Sequence, residues 1–385
     1  MGSCYINPMK LLLIFCNFLY YFILMAVIAF IPIYFKSIEI HDTGIGFLIG
    51  IFHAASLLFI IPAGLFSDRL SSKWIIIIGI FSFSIYLIGL MTITSLILLS
   101  VFTLIGGFGS ALINISILSL FYKLLDEEKM GAQLGAFFCA TSLGYALGPG
   151  STGLMLTYIT MRSTFAVMLF FTLLLFFATL FIKENSLSIS IKLKDYLHDL
   201  WSLKVLFLIA SVSVIGIHLG AEQSSLSLFM KVNLNLSYNK IGNIYFWVGI
   251  WIGLLLYIFG RLFDKDKRIL LFLSIGMGVS GIFQFATIYT DSYAEILLIR
   301  ILHTVGDAII FLMNGVLISI IFKEDRMGGN LGFVQAIRTN AIFLSATLGG
   351  FLNSHFGYHI NFITTGILLI SFALFLVTQK AGFRY

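Results

Sequence analysis

The chain has 385 residues, of which 59% are hydrophobic and only 10% are charged. A mean hydropathy of +1.05 exceeds what a water-soluble core of this size can bury, so composition excludes an ordinary soluble protein and indicates an integral membrane protein. Because the net charge of +6 can follow from the orientation of a membrane protein, it does not indicate a nucleic-acid partner.

Apolar runs of about 20 residues, separated by short polar breaks, predict transmembrane α-helices and not the alternating strands of a membrane barrel. Six spans are predicted in the first half of the chain, at 10–35, 44–66, 74–93, 95–122, 132–158 and 163–182. Six more are predicted in the second half, at 205–230, 241–263, 269–289, 294–322, 328–353 and 359–379. The first run lacks a small-residue cleavage site, so we interpret it as a retained helix and not as a signal peptide.

This pattern predicts an all-α membrane protein with two six-helix bundles, at 1–183 and 205–385, joined by a cytoplasmic connector at 184–204. Most of the 23 Lys and Arg residues fall on the side of the membrane that carries both termini. The few on the other side are Lys36, Arg162, Lys231 and Lys240. Because basic residues are retained in the cytoplasm, we expect a multi-pass protein of the cell (inner) membrane with both termini cytoplasmic.

The two halves of the chain look like copies of one another. DEEKMGAQLGAF at 126–137 aligns with KEDRMGGNLGFV at 323–334, and the same shift carries Gly153 onto Gly350. GLFSDRLSSK at 64–73 likewise matches GRLFDKDKR at 260–268. Parallel repeats of six helices predict a cavity between the halves at the membrane midplane, opened to each side in turn by rocking of the halves.

The loop after the second predicted helix resembles the signature loop of the major facilitator superfamily of secondary transporters. The residues that match are Gly64, Asp68, Arg69 and Lys73, and the second half repeats them as Gly260, Asp264, Lys265 and Arg268. Ser71 and Ser72 depart from the Gly and basic residue usual there. The resemblance implies the fold of that family and a role for these loops in conformational switching, not in substrate contact.

The fifth predicted helix carries a second resemblance, in TSLGYALGPGSTGLML. Gly144, Gly148, Pro149 and Gly153 are similar to a motif of the drug and metabolite exporters of the same superfamily. Small residues at these spacings let a neighbouring helix approach, and the proline introduces a bend. The resemblance favours export, although small-residue packing is also common to membrane bundles in general.

The tenth predicted helix, in IRILHTVGDAIIFLMNGV, carries Arg300, His303, Asp307 and Asn314 within about 60° of one helical face. An ionised side chain at the bilayer centre costs about 3 kcal/mol, so this face must line a wet cavity or pair with other helices. Possible partners are His218 and Glu222 in the seventh predicted helix and Gln335 and Arg338 in the eleventh.

These polar groups suggest proton coupling. A buried carboxylate can take up and release a proton as a nearby Arg moves, and Asp307 with Arg300 or Arg338 fits this scheme. His303 could relay the proton, and Glu222, one turn after His218, is the second candidate. The alternative is a permanent ion-pair lock between helices, with no titration in the transport cycle.

The leading hypothesis is a proton antiporter that exports a small organic compound or drug by alternating access. The alternatives are a proton symporter for a sugar, nucleoside or organic acid, and a lipid flippase or transporter-like sensor. No HExxH, nucleophile elbow or phosphate loop occurs in the sequence, so an enzyme is not expected. We expect no cofactor and no metal; the expected partners are a small-molecule substrate, protons and the lipid bilayer around a monomer.

Overall fold

The structure, a computed structural model, describes residues 7–69, 71–124, 130–183, 203–265, 268–322 and 327–379. Within those ranges the regular secondary structure is helical, and it forms twelve long helices in two sets of six. The predicted fold class is therefore confirmed. The predicted connector lies largely outside the described residues, which resume at the start of the seventh helix.

The first six helices follow the predicted spans closely. Their bounds are α1 Pro8–Ser37, α2 Asp42–Arg69, α3 Ser72–Thr92, α4 Leu96–Lys123, α5 Met130–Met155 and α6 Met161–Leu180. Two starts are fixed by caps that satisfy free backbone N–H groups, since the side chain of Asn7 accepts from Met9 N and that of Thr160 from Ser163 N. The sequence analysis did not predict that α1 is interrupted between Ile28 and Ile31, just before Pro32.

The second six helices repeat the arrangement. Their bounds are α7 Leu203–Leu228, α8 Tyr238–Lys265, α9 Ile269–Ala286, α10 Tyr293–Ile321, α11 Met327–Phe356 and α12 His359–Thr378. Helix α7 ends in a wider π-helical turn, Phe229–Asn233. In the described part of the chain, ten of the twelve helices are long and apolar enough to cross a membrane by length and composition, and the chain is a multi-pass membrane protein.

Helix packing repeats between the halves. In the first half α1 packs on α5, α2 on α4, and α3 on both α4 and α6. In the second half α7 packs on α11, α8 on α10, and α9 on both α10 and α12. Each contact recurs six helices later, so the repeat seen in the sequence is also a repeat in space.

The halves meet mainly through two helix pairs, α2 with α11 and α5 with α8. At the first crossing, a Cβ atom added to Gly46 would lie 2.6 Å from the Cα of Gly350. At the second, a Cβ atom added to Gly153 would lie 2.8 Å from the Cα of Gly242. These backbones approach so closely that only glycine fits without moving a helix.

Further contacts join the halves at the end of the bundle that carries Asp42, which we call the Asp42 face. The hydroxyl of Tyr358 donates to Asp42 Oδ1 at 3.1 Å, and Lys36 Nζ pairs with the same carboxylate oxygen at 2.8 Å. The hydroxyl oxygens of Thr43 and Ser354 lie 2.9 Å apart. Burial and the neighbouring carboxylate raise the pKa of Tyr358, so its hydroxyl stays protonated and can donate at neutral pH.

At the opposite end of the bundle α5 and α8 separate. A Cβ atom on Gly253 would lie 3.4 Å from Ser142 Cβ, and one on Gly260 would meet no atom of the described residues within 4 Å. We call this end the Lys73 face, because Lys73 Nζ there donates to the carbonyl of Leu180 at 2.6 Å. The α5–α8 contact is therefore close at the Asp42 face and is lost toward the Lys73 face.

The two switch loops predicted from sequence lie at the Lys73 face. Gly64 lies within α2 and Gly260 within α8, and Arg268 is exposed just before α9. The side chains of Asp68, Arg69, Asp264 and Lys265 lie outside the described residues. The role of these loops in switching therefore stays a prediction.

Candidate functional site

Five ionisable side chains from α7 and α10 meet inside the second half, and we call them the charge cluster. They are His218, Glu222, Arg300, His303 and Asp307. The sequence analysis predicted all five as site residues. The i, i+4 spacing of His218 with Glu222 and of His303 with Asp307 places each pair on one helical face, and the packing of α7 on α10 brings those faces together.

Arg300 pairs with Glu222. Its Nη2 lies 2.5 Å from Glu222 Oε1, and its Nη1 donates to Gln284 Oε1 of α9 at 3.0 Å. Gln284 in turn donates from Nε2 to the hydroxyl of Thr365 of α12 at 3.2 Å. The guanidinium is thus held by an ion pair and by a hydrogen-bond chain that crosses three helices.

Asp307 is held by His303 and Ser280. Ser280 Oγ donates to Asp307 Oδ1 at 2.7 Å, while His303 Nε2 lies 3.2 Å from Oδ2. The sequence analysis expected Asp307 to pair with Arg300 or Arg338. In the structure Arg300 turns to Glu222, and neither arginine lies within ion-pair distance of Asp307 among the described residues.

The geometry of His303 fixes where its hydrogen lies. Its Nδ1 is 2.9 Å from the backbone carbonyl of Ser280, and because a carbonyl only accepts, Nδ1 must donate. Its Nε2 then faces Asp307 Oδ2 and, at 3.6 Å, Glu222 Oε1. Nε2 makes no hydrogen bond among the described residues. A lone pair beside two carboxylates would be repulsive, so a further proton on Nε2 or on a carboxylate would stabilise this arrangement.

His218 offers a second place for a proton. It is fully buried, and neither ring nitrogen has a hydrogen-bond partner in the described part of the chain. Its Nε2 lies 3.7 Å from Glu222 Oε2 and 3.8 Å from Asp307 Oδ2, beyond ordinary hydrogen-bond length. The imidazole therefore lies next to both carboxylates without a hydrogen bond to either.

The carboxylates are the accessible members of the cluster. The side chains of Glu222 and Asp307 are 12% and 10% exposed, whereas both histidines are fully enclosed. A proton or a polar substrate that enters from the interior of the bundle would therefore meet Glu222 or Asp307 first.

The ligand atoms of His218, Glu222 and His303 lie within 4.8 Å of one another, close enough to surround a metal ion. However, the guanidinium of Arg300 lies directly on Oε1 of Glu222, and its positive charge would oppose a second cation at that carboxylate. The arrangement fits the binding of protons better than the binding of a metal.

The other predicted site residues lie apart from the cluster. Asn314 accepts from Ser211 Oγ at 2.7 Å, a buried contact between α10 and α7. Gln335 and Arg338 are half-buried on α11. The exporter-like motif of α5 makes close packing contacts, because Cβ atoms on Gly144 and Gly148 would lie 2.7 Å from Tyr21 Cβ and 2.5 Å from the carbonyl of Phe22 in α1.

The sequence analysis missed three polar partners. Ser280 and Gln284 lie one turn apart on α9, and this spacing could have marked a polar face within an apolar helix. Gln223 accepts a hydrogen bond from His53 Nε2 of α2 at 2.6 Å across the two halves. Because Gln223 follows Glu222 directly, this bond links the first half of the chain to the charge cluster.

Comparison with known proteins settles the family. The sequence pattern of the Major Facilitator Superfamily matches residues 13–272 and 223–382, so it covers both halves. The chain belongs to the major facilitator superfamily. It is therefore a secondary transporter with a small-molecule substrate, and not an enzyme, as the sequence analysis predicted.

Among its relatives in sequence is MJ1560, an uncharacterised MFS-type transporter of Methanocaldococcus jannaschii. It is 22% identical over 83% of this chain and 84% of its own length. Multidrug resistance protein 2 of Bacillus subtilis is 25% identical over 89% of this chain and 88% of its own length. The quinolone resistance protein NorA of Staphylococcus aureus is 25% identical over 39% of this chain and 38% of its own length.

Solved structures share the fold. The nucleoside transporter NupG superposes with a TM-score of 0.79 at 14% identity, covering 97% of this chain and all of that one. The human organic anion transporter MFSD10 superposes with a TM-score of 0.72 at 15% identity, covering 96% of this chain and all of that one. At these identities the likeness shows the superfamily fold alone.

Proposed function

We propose that the protein exports a small organic compound or drug by proton antiport through alternating access. The single observation that carries proton coupling is the geometry of His303, whose Nδ1 is committed to the Ser280 carbonyl while Nε2 faces the carboxylates of Asp307 and Glu222. A bound proton would stabilise this arrangement in one conformation. The arrangement can lose that proton in another if α7 and α10 shift relative to each other.

The placement of Lys and Arg supports an orientation for this cycle. With the basic loops in the cytoplasm, the Asp42 face lies outside and the Lys73 face lies inside. The close contacts at the Asp42 face then shut the cavity to the outside. Protons would leave the charge cluster toward the cytoplasm from this conformation, where an internal substrate could enter.

The direction of export is supported by the relatives. Two of them are named for resistance to drugs or quinolones, and the Gly-rich motif of α5 resembles that of exporters. Proton symport of an organic acid is the second candidate, because Arg338 has no carboxylate within ion-pair distance in the described part of the chain and could pair with an acidic substrate.

The test is the external pH of a weakly buffered suspension of proteoliposomes while a panel of drugs and metabolites is added. Antiport predicts external acidification by a transported solute, because its entry drives protons out. Asp307→Asn should abolish this proton movement, whereas Asp291→Asn, which changes a carboxylate in the exposed turn before α10, should not. External alkalinisation would establish symport, and proton movement that survives Asp307→Asn would remove Asp307 from the mechanism.

A further inference from the structure

The carboxylates inside the membrane-spanning helices already have partners within the protein. In the described helices, the carboxylates that lie well inside the spans are Glu222 and Asp307. Glu222 is bound by Arg300, and Asp307 is bound by Ser280 and His303. An organic cation that entered the bundle would therefore have to displace one of these partners to find a counter-charge.

Arg338, in contrast, has no acidic partner among the described residues. It lies near the middle of α11, half-buried, and its Nε is fully enclosed without an acceptor. No acidic side chain among the described residues lies within 4.0 Å of its guanidinium. A permanently charged group inside a membrane protein is stabilised by a counter-ion, and the described residues supply none at this position.

The charge of Arg338 acts on side chains of the first half of the molecule. It lies within electrostatic range of Tyr21 of α1, His53 of α2 and Tyr145 of α5. Since α11 belongs to the second half, the unpaired charge lies where the two halves face each other. That is the position of the substrate cavity in a transporter of two repeated bundles.

Two aromatic rings within electrostatic range of this charge offer a surface for an apolar ligand body. The rings of Tyr21 and Tyr145 are stacked, with centroids 5.5 Å apart and an interplanar angle of 27°. Tyr145 is 41% exposed although it lies mid-helix, so its ring is available for contact. In α8, the indole Nε1 of Trp251 is a second buried donor without an acceptor among the described residues.

We propose that the central cavity binds an aromatic carboxylate, with the carboxylate on Arg338 and the ring against Tyr21 and Tyr145. A guanidinium offers a planar fork of donors that matches a carboxylate with two parallel hydrogen bonds. The bound anion supplies the counter-charge, and an acceptor for Nε, that the described part of the chain does not provide here. This inference names the substrate class of the transporter proposed above and rests on that proposal only for the direction of movement.

Three probes that share one ring system test the charge preference: 2-naphthoate, 2-naphthamide and 2-naphthylmethylammonium. Binding of each to the purified full-length protein is measured at neutral pH by titration calorimetry, without any proton gradient. The wild type is expected to bind naphthoate most tightly. Arg338→Gln should weaken naphthoate binding about tenfold or more and leave the weaker naphthamide binding nearly unchanged.

Two further variants keep the result interpretable. Arg338→Lys retains the charge but not the planar fork, so it should bind naphthoate with intermediate affinity and should fold if Arg338→Gln does not. Arg162→Gln removes an exposed arginine in the first turn of α6 and should leave the binding of all three probes unchanged. The proposal is wrong if the ammonium probe binds best, if none of the probes binds, or if Arg338→Gln and Arg338→Lys bind naphthoate as tightly as the wild type.

The outcome separates this inference from the transport proposal. Arg338-dependent naphthoate binding without any proton movement in proteoliposomes would support the site and contradict proton coupling. Asp307-dependent proton movement driven by the ammonium probe alone, without naphthoate binding, would support coupling and overturn the anion site.

Discussion

At the scale of single residues, the sequence identifies the members of the charge cluster but not their partners. Charged residues in apolar helices are conspicuous because the membrane penalises them, and this made Glu222, Arg300 and Asp307 predictable. Which carboxylate Arg300 meets depends on the rotation of α7 about its axis and on Gln284 of α9. The rotation of α7 and the position of Gln284 cannot be predicted from a helical face alone. The predicted pairing of Arg300 with Asp307 therefore differs from its observed pairing with Glu222.

The pair of Arg300 and Glu222 gives a stability prediction. Arg300→Gln leaves a buried carboxylate without its cation and should destabilise the folded protein by about 3 kcal/mol, visible as a lower thermal unfolding temperature in detergent. The double variant Arg300→Gln with Glu222→Gln has no unpaired charge and should regain much of this loss. Equal destabilisation by both variants would mean that the ion pair contributes little to folding.

At the scale of helices, the predicted spans match the observed bounds within a few residues because the apolar runs are long and clearly bordered. The interruption of α1 before Pro32 and the π-helical turn after α7 were missed, since short local departures barely change an average hydropathy. Only a weak sequence pattern indicates the positions where glycines of the two halves cross. Ile45–Gly46 and Ile241–Gly242 share the same dipeptide at equivalent places of the repeat, and both isoleucines are buried.

These crossings predict a strong effect of the smallest possible substitution. In Gly46→Ala the new methyl would lie 2.5 Å from the carbonyl of Ala346, a backbone atom that cannot turn away, so α2 and α11 must separate. We expect solute transport to fall about tenfold, a change of ~1.4 kcal/mol, with Gly242→Ala giving a similar loss. Gly278→Ala is the matched control, since its methyl would meet only Ala373 Cβ at 3.8 Å.

Solute uptake by vesicles, normalised to the amount of folded protein, measures the effect of these glycine variants. Transport by Gly46→Ala at the rate of the Gly278→Ala control would show that the two helices can separate there without consequence for the cycle.

At the scale of the whole molecule, the repeat was visible in the sequence and so was the general plan of two bundles. Which end of the bundle is closed was not visible, because alternating access gives one sequence at least two arrangements of the halves. The contacts of Asp42 with Tyr358 and of Thr43 with Ser354 join residues from opposite ends of the chain and could not be predicted from either half.

If the halves must part at the Asp42 face during transport, a covalent bond there should stop the cycle. The hydroxyls of Thr43 and Ser354 lie 2.9 Å apart, near the positions that two sulfurs would take in the T43C/S354C variant. Oxidation should abolish solute transport by this variant and a reductant should restore it, while T43C and S354C alone stay active under both conditions. Continued transport by fully cross-linked protein would show that this face does not open.

The glycine crossings have one more consequence, for how the transporter can be controlled. Glycine has no ionisable side chain, so protonation cannot act on Gly46, Gly153, Gly242 or Gly350 directly. The crossings therefore set how closely the halves can fit but carry no titratable group of their own. A response to pH would have to act through the ionisable groups of α7 and α10.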